Sequence, residues 1–162
     1  MIDYPLFNRK LTKAQFIEEI RRILSKASVK LVLKNSDRVM VDDCPCLGYF
    51  DPPTRTTNGE LVVASDNPND VVISTLAHEY MHFLQWFFGT DEEYDDSVED
   101  NYFMNEHEIE INSLRLLKSC GLLNKNMIMF SKLYLKSMFM QAAFDYMAAF
   151  DIDDIDELME AN

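Results

Sequence analysis

Residues 70–88 contain neither proline nor glycine, and Pro68 and Gly89 flank them as start and stop signals for a helix. Val72, Leu76, Phe83 and Phe87 supply an apolar stripe. Inside this stretch lies His78-Glu79-x-x-His82, part of Thr-Leu-Ala-His-Glu-Tyr-Met-His-Phe-Leu-Gln-Trp at 75–86. Side chains four apart share one helix face, so His78 and His82 project together. Two imidazoles at that spacing suit one tetrahedral Zn²⁺. Glu79 lies about 100° round the same helix, beside a metal rather than on it. That is where a general base for a metal-activated water must stand. The chain has 3 histidines, His78, His82 and His107, and two of them fall in this motif. Histidines on an otherwise apolar helix face need partners, and one cation satisfies both.

The remaining composition narrows the possibilities. The 162 residues suit one domain, and 48% hydrophobic content is ample for a core. The N-terminus, Met1-Ile2-Asp3-Tyr4-Pro5, carries an acid and no apolar h-region, so no signal peptide is expected. No apolar run reaches membrane-spanning length, and a cytoplasmic, membrane-free protein is expected. A formal net charge of −13 argues against nucleic acid, whose phosphates are met mainly by Lys and Arg. The 3 cysteines, an odd number, give no disulfide framework. Cys44-Pro45-Cys46 is too closely spaced for the usual C-x-x-C pair and reads as two half-buried thiols in a turn, and Cys120 as a core residue.

Taken in order, Thr12 with Gln15 forms a capping-box pattern, and Phe16, Ile20, Ile23 and Leu24 mark a helix to about Ser25. Residues 29–33 and 38–41 read as strands, 47–50 as a short strand, Asn58-Gly59 as a turn and 60–64 as a further strand. The motif helix follows. Residues 90–100 are dominated by Asp and Glu and read as a solvated loop. A second helix is expected from about Tyr102 to Ser119, stopped by Gly121. A Met- and Phe-rich helix is expected over 125–150. Its Met127, Phe130, Leu133, Tyr134, Met138 and Phe139 suit core or a subunit contact, and 151–162 suits a last short amphipathic helix. The expected organisation is one domain: helix plus strands over 1–68, the motif helix over 69–89, a ligand helix over 101–120 and C-terminal helices over 124–162.

A catalytic zinc needs a third protein ligand and one open position. The candidates lie in Asn105-Glu106-His107-Glu108-Ile109-Glu110-Ile111-Asn112. His-Glu-x-x-His with a downstream Glu resembles the gluzincin arrangement of zinc metallopeptidases. Residues 108–117 resemble the Glu-x-x-Ala-Asn helix of ImmA/IrrE-type peptidases and the ligand helix of small phage-encoded metallopeptidases. In that group the first helix commonly reads His-Glu-x-x-His-Phe-x-Gln-Trp, matched here from His78 to Trp86. The turn and strand before it are similar too, in residues 46–51 and 61–64. The resemblance spans 46–117, under half the chain, and departs at Ile111, where the family has a small residue.

The resemblance implies an α+β, zincin-like minimal metallopeptidase, with a small N-terminal antiparallel or mixed sheet packed on the motif helix and further helices behind. It makes His78, His82 and Glu108 the ligands of one Zn²⁺ per chain and Glu79 the catalytic base. It also implies a protein or peptide substrate and, for a phage-encoded chain, the host cytoplasm. A rival register stays open: Asn105-Glu106-x-x-x-Glu110 resembles the helix of thermolysin-like gluzincins, with Glu106 as ligand and Glu110 behind a histidine. Glu106 and Glu108 stand about 200° apart on a helix, so only one can face the metal. Glu108 is the expected ligand because its pattern continues through Asn112 and Leu116-Leu117, and His107 is a weaker third candidate. The 60–64 strand, placed at a sheet edge, could add an extended peptide. Tyr80, Tyr94, Tyr102 and His107 are candidates for stabilising an oxyanion. The alternative function is a zinc-binding but inactive regulatory or protein-interaction domain, against which the retained Glu79 argues.

Overall fold

The computed structural model describes residues 3–90 and 99–139 and is of the α+β class. Helix α1 (Lys13–Lys26) begins with the expected capping box: the Thr12 side chain accepts from the Gln15 amide at 3.1 Å, and Gln15 accepts from the Thr12 amide at 2.9 Å. Phe16, Ile20 and Leu24, one stripe at fourfold spacing, are fully buried. Strands β1 (Val29–Lys34), β2 (Val39–Val41), β3 (Cys44–Cys46), β4 (Gly48–Asp51) and β5 (Gly59–Ala64) follow. Helices α2 (Asn69–Phe88), α3 (Glu99–Ser119) and α4 (Lys125–Phe139) complete the described chain. Gly89 ends α2 in the left-handed conformation, φ 68°, which lets its amide cap the last turn.

The main sheet is mixed, in the order β1-β5-β4. β1 runs parallel to β5 with Val29 opposite Gly59, and β4 runs antiparallel to β5 with Gly48 opposite Val63. The expected 60–64 strand is therefore central rather than at an edge; among the described residues the outer positions belong to β1 and β4. Its composition explains this: Leu61 and Val63 bury on one face, Val62 and Ala64 on the other. A strand with both faces covered reads as a continuous apolar run. Residues 44–46 are a strand rather than a turn. The turn lies just before, where Asp42 and Asp43 both take positive φ, as a tight hairpin connection demands. Pro45 sits opposite Met40 in this two-stranded ribbon, a position where a missing N–H does little harm. Val39, Cys46 and Tyr49 cover the outer face of the sheet with Val62 and Ala64.

The inner face, through Leu31, Leu61 and Val63, packs on α1 and α2 and forms the main core with Phe16, Leu76, Met81 and Phe83. A smaller apolar cluster joins Phe103, Ile111 and Leu114 of α3 to Ile128, Leu135 and Met138 of α4. Asp70, in the first turn of α2, accepts from Lys13 Nζ at 3.0 Å and from Asn126 at 3.4 Å, linking α1, α2 and the start of α4. The Lys13 hydrogen bond holds the Asp70 carboxyl below its ordinary pKa. No helix among the described residues is long and apolar enough to cross a membrane. Most of the acidic stretch, Tyr94 and everything expected for 140–162 lie outside the described residues.

Candidate metal centre

Helix α2 supplies the two histidines. Their rings meet edge to face, with centroids 5.0 Å apart, and their Nε2 atoms stand 3.3 Å apart. Helix α3 crosses this face and brings Glu106 to both: Oε2 lies 3.2 Å from His78 Nε2 and Oε1 lies 3.2 Å from His82 Nε2. Three ligand-type residues thus converge, His78, His82 and Glu106. The carboxylate that joins the histidines is that of Glu106, where the sequence pattern points to Glu108. Glu108 is buried but lies outside this group, on the side of α3 set by the 200° or so between residues i and i+2.

The next carboxylate on the same face of α3 is Glu110. Its Oε1 lies 2.5 Å from His78 Nδ1, and its other oxygen accepts a short hydrogen bond from the Ser131 hydroxyl of α4. This is the rival register, with Glu106 at the histidines and Glu110 behind one of them. Glu110 orients the His78 ring: when Nδ1 donates to it, the neutral imidazole presents its Nε2 lone pair to the cluster. An amide pair links the crossing helices, with Nε2 of the buried Gln85 of α2 donating to Oδ1 of the half-buried Asn105 of α3 at 2.5 Å.

Burial alone would lower the basicity of His78, but hydrogen bonds and charge from Glu106, with Glu110 adding to them, outweigh it and hold its pKa well above the ordinary value. Burial would raise Glu106, but His78 and His82 outweigh it and hold that carboxyl well below the ordinary range. The cluster therefore calls for positive charge at its centre. Protons on the histidines supply it one way and a divalent cation supplies it another. The spacing suits a cation: bonds of about 2.0–2.1 Å to nitrogen and oxygen in a tetrahedron place ligand atoms about 3.3 Å apart. The two Nε2 atoms stand 3.3 Å apart, each has a different Glu106 oxygen at 3.2 Å, and one ligand atom from each of the three residues lies within 4.8 Å of the others.

Glu79 follows His78 on α2 and is 9% exposed. Burial raises its carboxyl pKa, the two histidines pull it down, and Glu106 and Glu110 push it up, for a net rise. Its Cγ lies against Gly48 of β4, a residue with no distinguishing signal in the sequence. A Cβ on Gly48 would stand 2.8 Å from Thr75 Cγ2, 2.8 Å from the Val62 carbonyl oxygen and 3.1 Å from Glu79 Cγ. The close crossing of β4 over α2 requires the absent side chain. Gly48→Ala is expected to destabilise the fold by about 1–3 kcal/mol, the usual cost of overpacking. A urea unfolding midpoint equal to that of the wild type would refute this.

Several other side chains depart from their expected places. Tyr134 of α4, expected in the core or a subunit contact, donates to Glu106 Oε2 at 2.8 Å and meets the His78 ring at right angles. The residue as a whole is 37% exposed, but desolvation of the phenol and the Glu106 charge push it far above its ordinary pKa, so it remains a donor. Tyr80 points away from the site, stacked on Phe7 and Phe83 in the main core, and Phe130 and Leu133 are exposed while Met127 and Met138 are buried. Ser131 and Tyr134 carry one sequence signal: hydroxyls three apart, on one helix face, within an apolar stretch. No family model, curated protein or solved structure matches this chain.

Proposed function

We propose that this chain is a zinc-dependent metallopeptidase of the gluzincin-like kind, in a minimal zincin-like fold, acting on protein or peptide. His78, His82 and Glu106 would hold the ion and Glu79 would serve as general base. The observation that carries this reading is the convergence of two imidazole nitrogens and one carboxylate, with one ligand atom of each within 4.8 Å of the others, beside a buried glutamate.

Zinc, when bound, supplies Lewis acidity, lowering the pKa of a water toward neutrality and polarising a carbonyl. The protein's own groups do the rest. Glu79 takes a proton at its carboxylate and returns it to the departing amine. Gly48 gives the Glu79 side chain room, since a Cβ there would stand 3.1 Å from Glu79 Cγ. Glu110 and Ser131 fix the His78 ring. With β5 in the middle of the sheet, the strand suited to an extended peptide is β4, whose Gly48 crosses above Glu79. Main-chain pairing there would recognise backbone without demanding a sequence.

The test is metal analysis together with hydrolysis of an unfolded protein. About one zinc per chain is expected, with activity removed by a chelator and restored by zinc. Failure to take up metal after reconstitution sinks the proposal. Stoichiometric zinc with no hydrolysis of any unfolded substrate would leave a zinc-binding, non-catalytic domain.

A further inference from the structure

The two carboxylates that α3 turns toward the histidines are each engaged by one hydroxyl of α4. Ser131 Oγ donates to Glu110 Oε2, whose Oε1 meets His78 Nδ1. Tyr134, one turn further along the same face, donates at 2.8 Å to Glu106 Oε2, which also lies 3.2 Å from His78 Nε2, while Oε1 lies 3.2 Å from His82 Nε2 with no hydroxyl on it from α4 among the described residues. The Tyr134 ring also stands perpendicular to His78, at 89° with centroids 5.6 Å apart, which limits how far that imidazole can tilt. We propose that Tyr134 is a positioning residue of the metal centre: its hydroxyl holds one oxygen of Glu106, so that the carboxylate offers the other to the ion. The inference rests on the reading of His78, His82 and Glu106 as a metal site.

The physical reason is the freedom of a glutamate. An unrestrained carboxylate rotates about its last bond and can bind a cation with one oxygen or two. A hydrogen bond to one oxygen fixes the plane, and a carboxylate giving one oxygen keeps a coordination position open, as a catalytic site requires. The hydroxyl comes from a distant part of the chain, since Tyr134 is 28 residues from Glu106 and on a different helix. Docking of α4 therefore sets the geometry of a ligand that α3 carries.

The experiment measures zinc affinity by chelator competition, and the visible absorption of the cobalt-loaded protein, for wild type, Tyr134→Phe, Glu106→Gln and the double variant. Phenylalanine keeps the ring against His78 and removes only the donor. The expected result is zinc binding weakened about tenfold or more in Tyr134→Phe, the usual range for a partner of a ligand, with an altered cobalt spectrum. In the Glu106→Gln background the same change is expected to add nothing, since the hydroxyl acts through that carboxylate. Affinity within about twofold of wild type and an unchanged spectrum overturn the inference while leaving the metal site intact; so does equal weakening in both backgrounds, which means that the hydroxyl acts by a route other than the Glu106 carboxylate. A wild-type chain that binds neither zinc nor cobalt overturns the site and the inference together. Melting of the metal-free variants separates lost folding from lost positioning.

Discussion

Replacing Glu79 with Gln is expected to leave the chain folded and metal-loaded but to lower the proposed hydrolysis about 10²–10⁴-fold, the usual contribution of general acid–base catalysis. Glutamine matches the shape of the carboxylate against Gly48 and Thr75, so the close crossing of β4 over α2 survives. It cannot hold a proton, so the transfer from water to leaving amine has no carrier. Burying a neutral amide where an ionisable acid stood costs little, because burial already disfavours the charged form of Glu79. The check is a pair of measurements on one preparation, zinc content and initial rate on an unfolded protein. Full activity with zinc retained would remove Glu79 from the mechanism.

The second large effect separates the two carboxylates of α3. Glu106→Ala is expected to weaken zinc by more than the ten- to hundredfold typical of an outer partner, because it removes a ligand itself. Glu108→Ala is expected to keep about one zinc per chain. Both residues are buried, so each variant carries a stability cost, and the comparison is made between folded samples of similar melting temperature. Loss of zinc in Glu108→Ala alone would overturn the assignment drawn from the 3.2 Å approaches of Glu106.

The choice between these residues was not legible in the sequence, and the burial of α3 says why. Every residue from Glu106 to Leu114 is buried, acids included. Ile109 and Leu116 face the main core, while Ile111 and Leu114 face the smaller cluster. A helix covered all round has no apolar stripe to fix its rotation, so only its crossing with α2 decides which acid meets the histidines. By contrast, α2 and α1 declared themselves. Their boundaries rest on local chemistry, Pro68 and Gly89 for one and the Thr12–Gln15 box for the other. The His78–His82 spacing is likewise local. Where contacts are distant, sequence patterns misled or were silent. The central place of β5 depends on parallel pairing with β1 across 30 positions of chain, Val29 with Gly59. Tyr134 and Ser131 reach the site from a helix whose Met- and Phe-rich composition suggested only packing.

The two apolar clusters have unequal depth, and that has a consequence for motion. α4 holds to the main core through Met127 and to Asp70 through Asn126, both at its start. Its later turns rest on the smaller cluster through Leu135 and Met138. Opening those turns exposes little of the sheet or of α1, so it requires less free energy than global unfolding. In amide hydrogen exchange the later turns of α4 are expected to be less protected than the interior of α2. Each such opening withdraws Ser131 and Tyr134 while the histidines stay on their helix. The tuning of the site and the breathing of the fold's last described helix are one equilibrium.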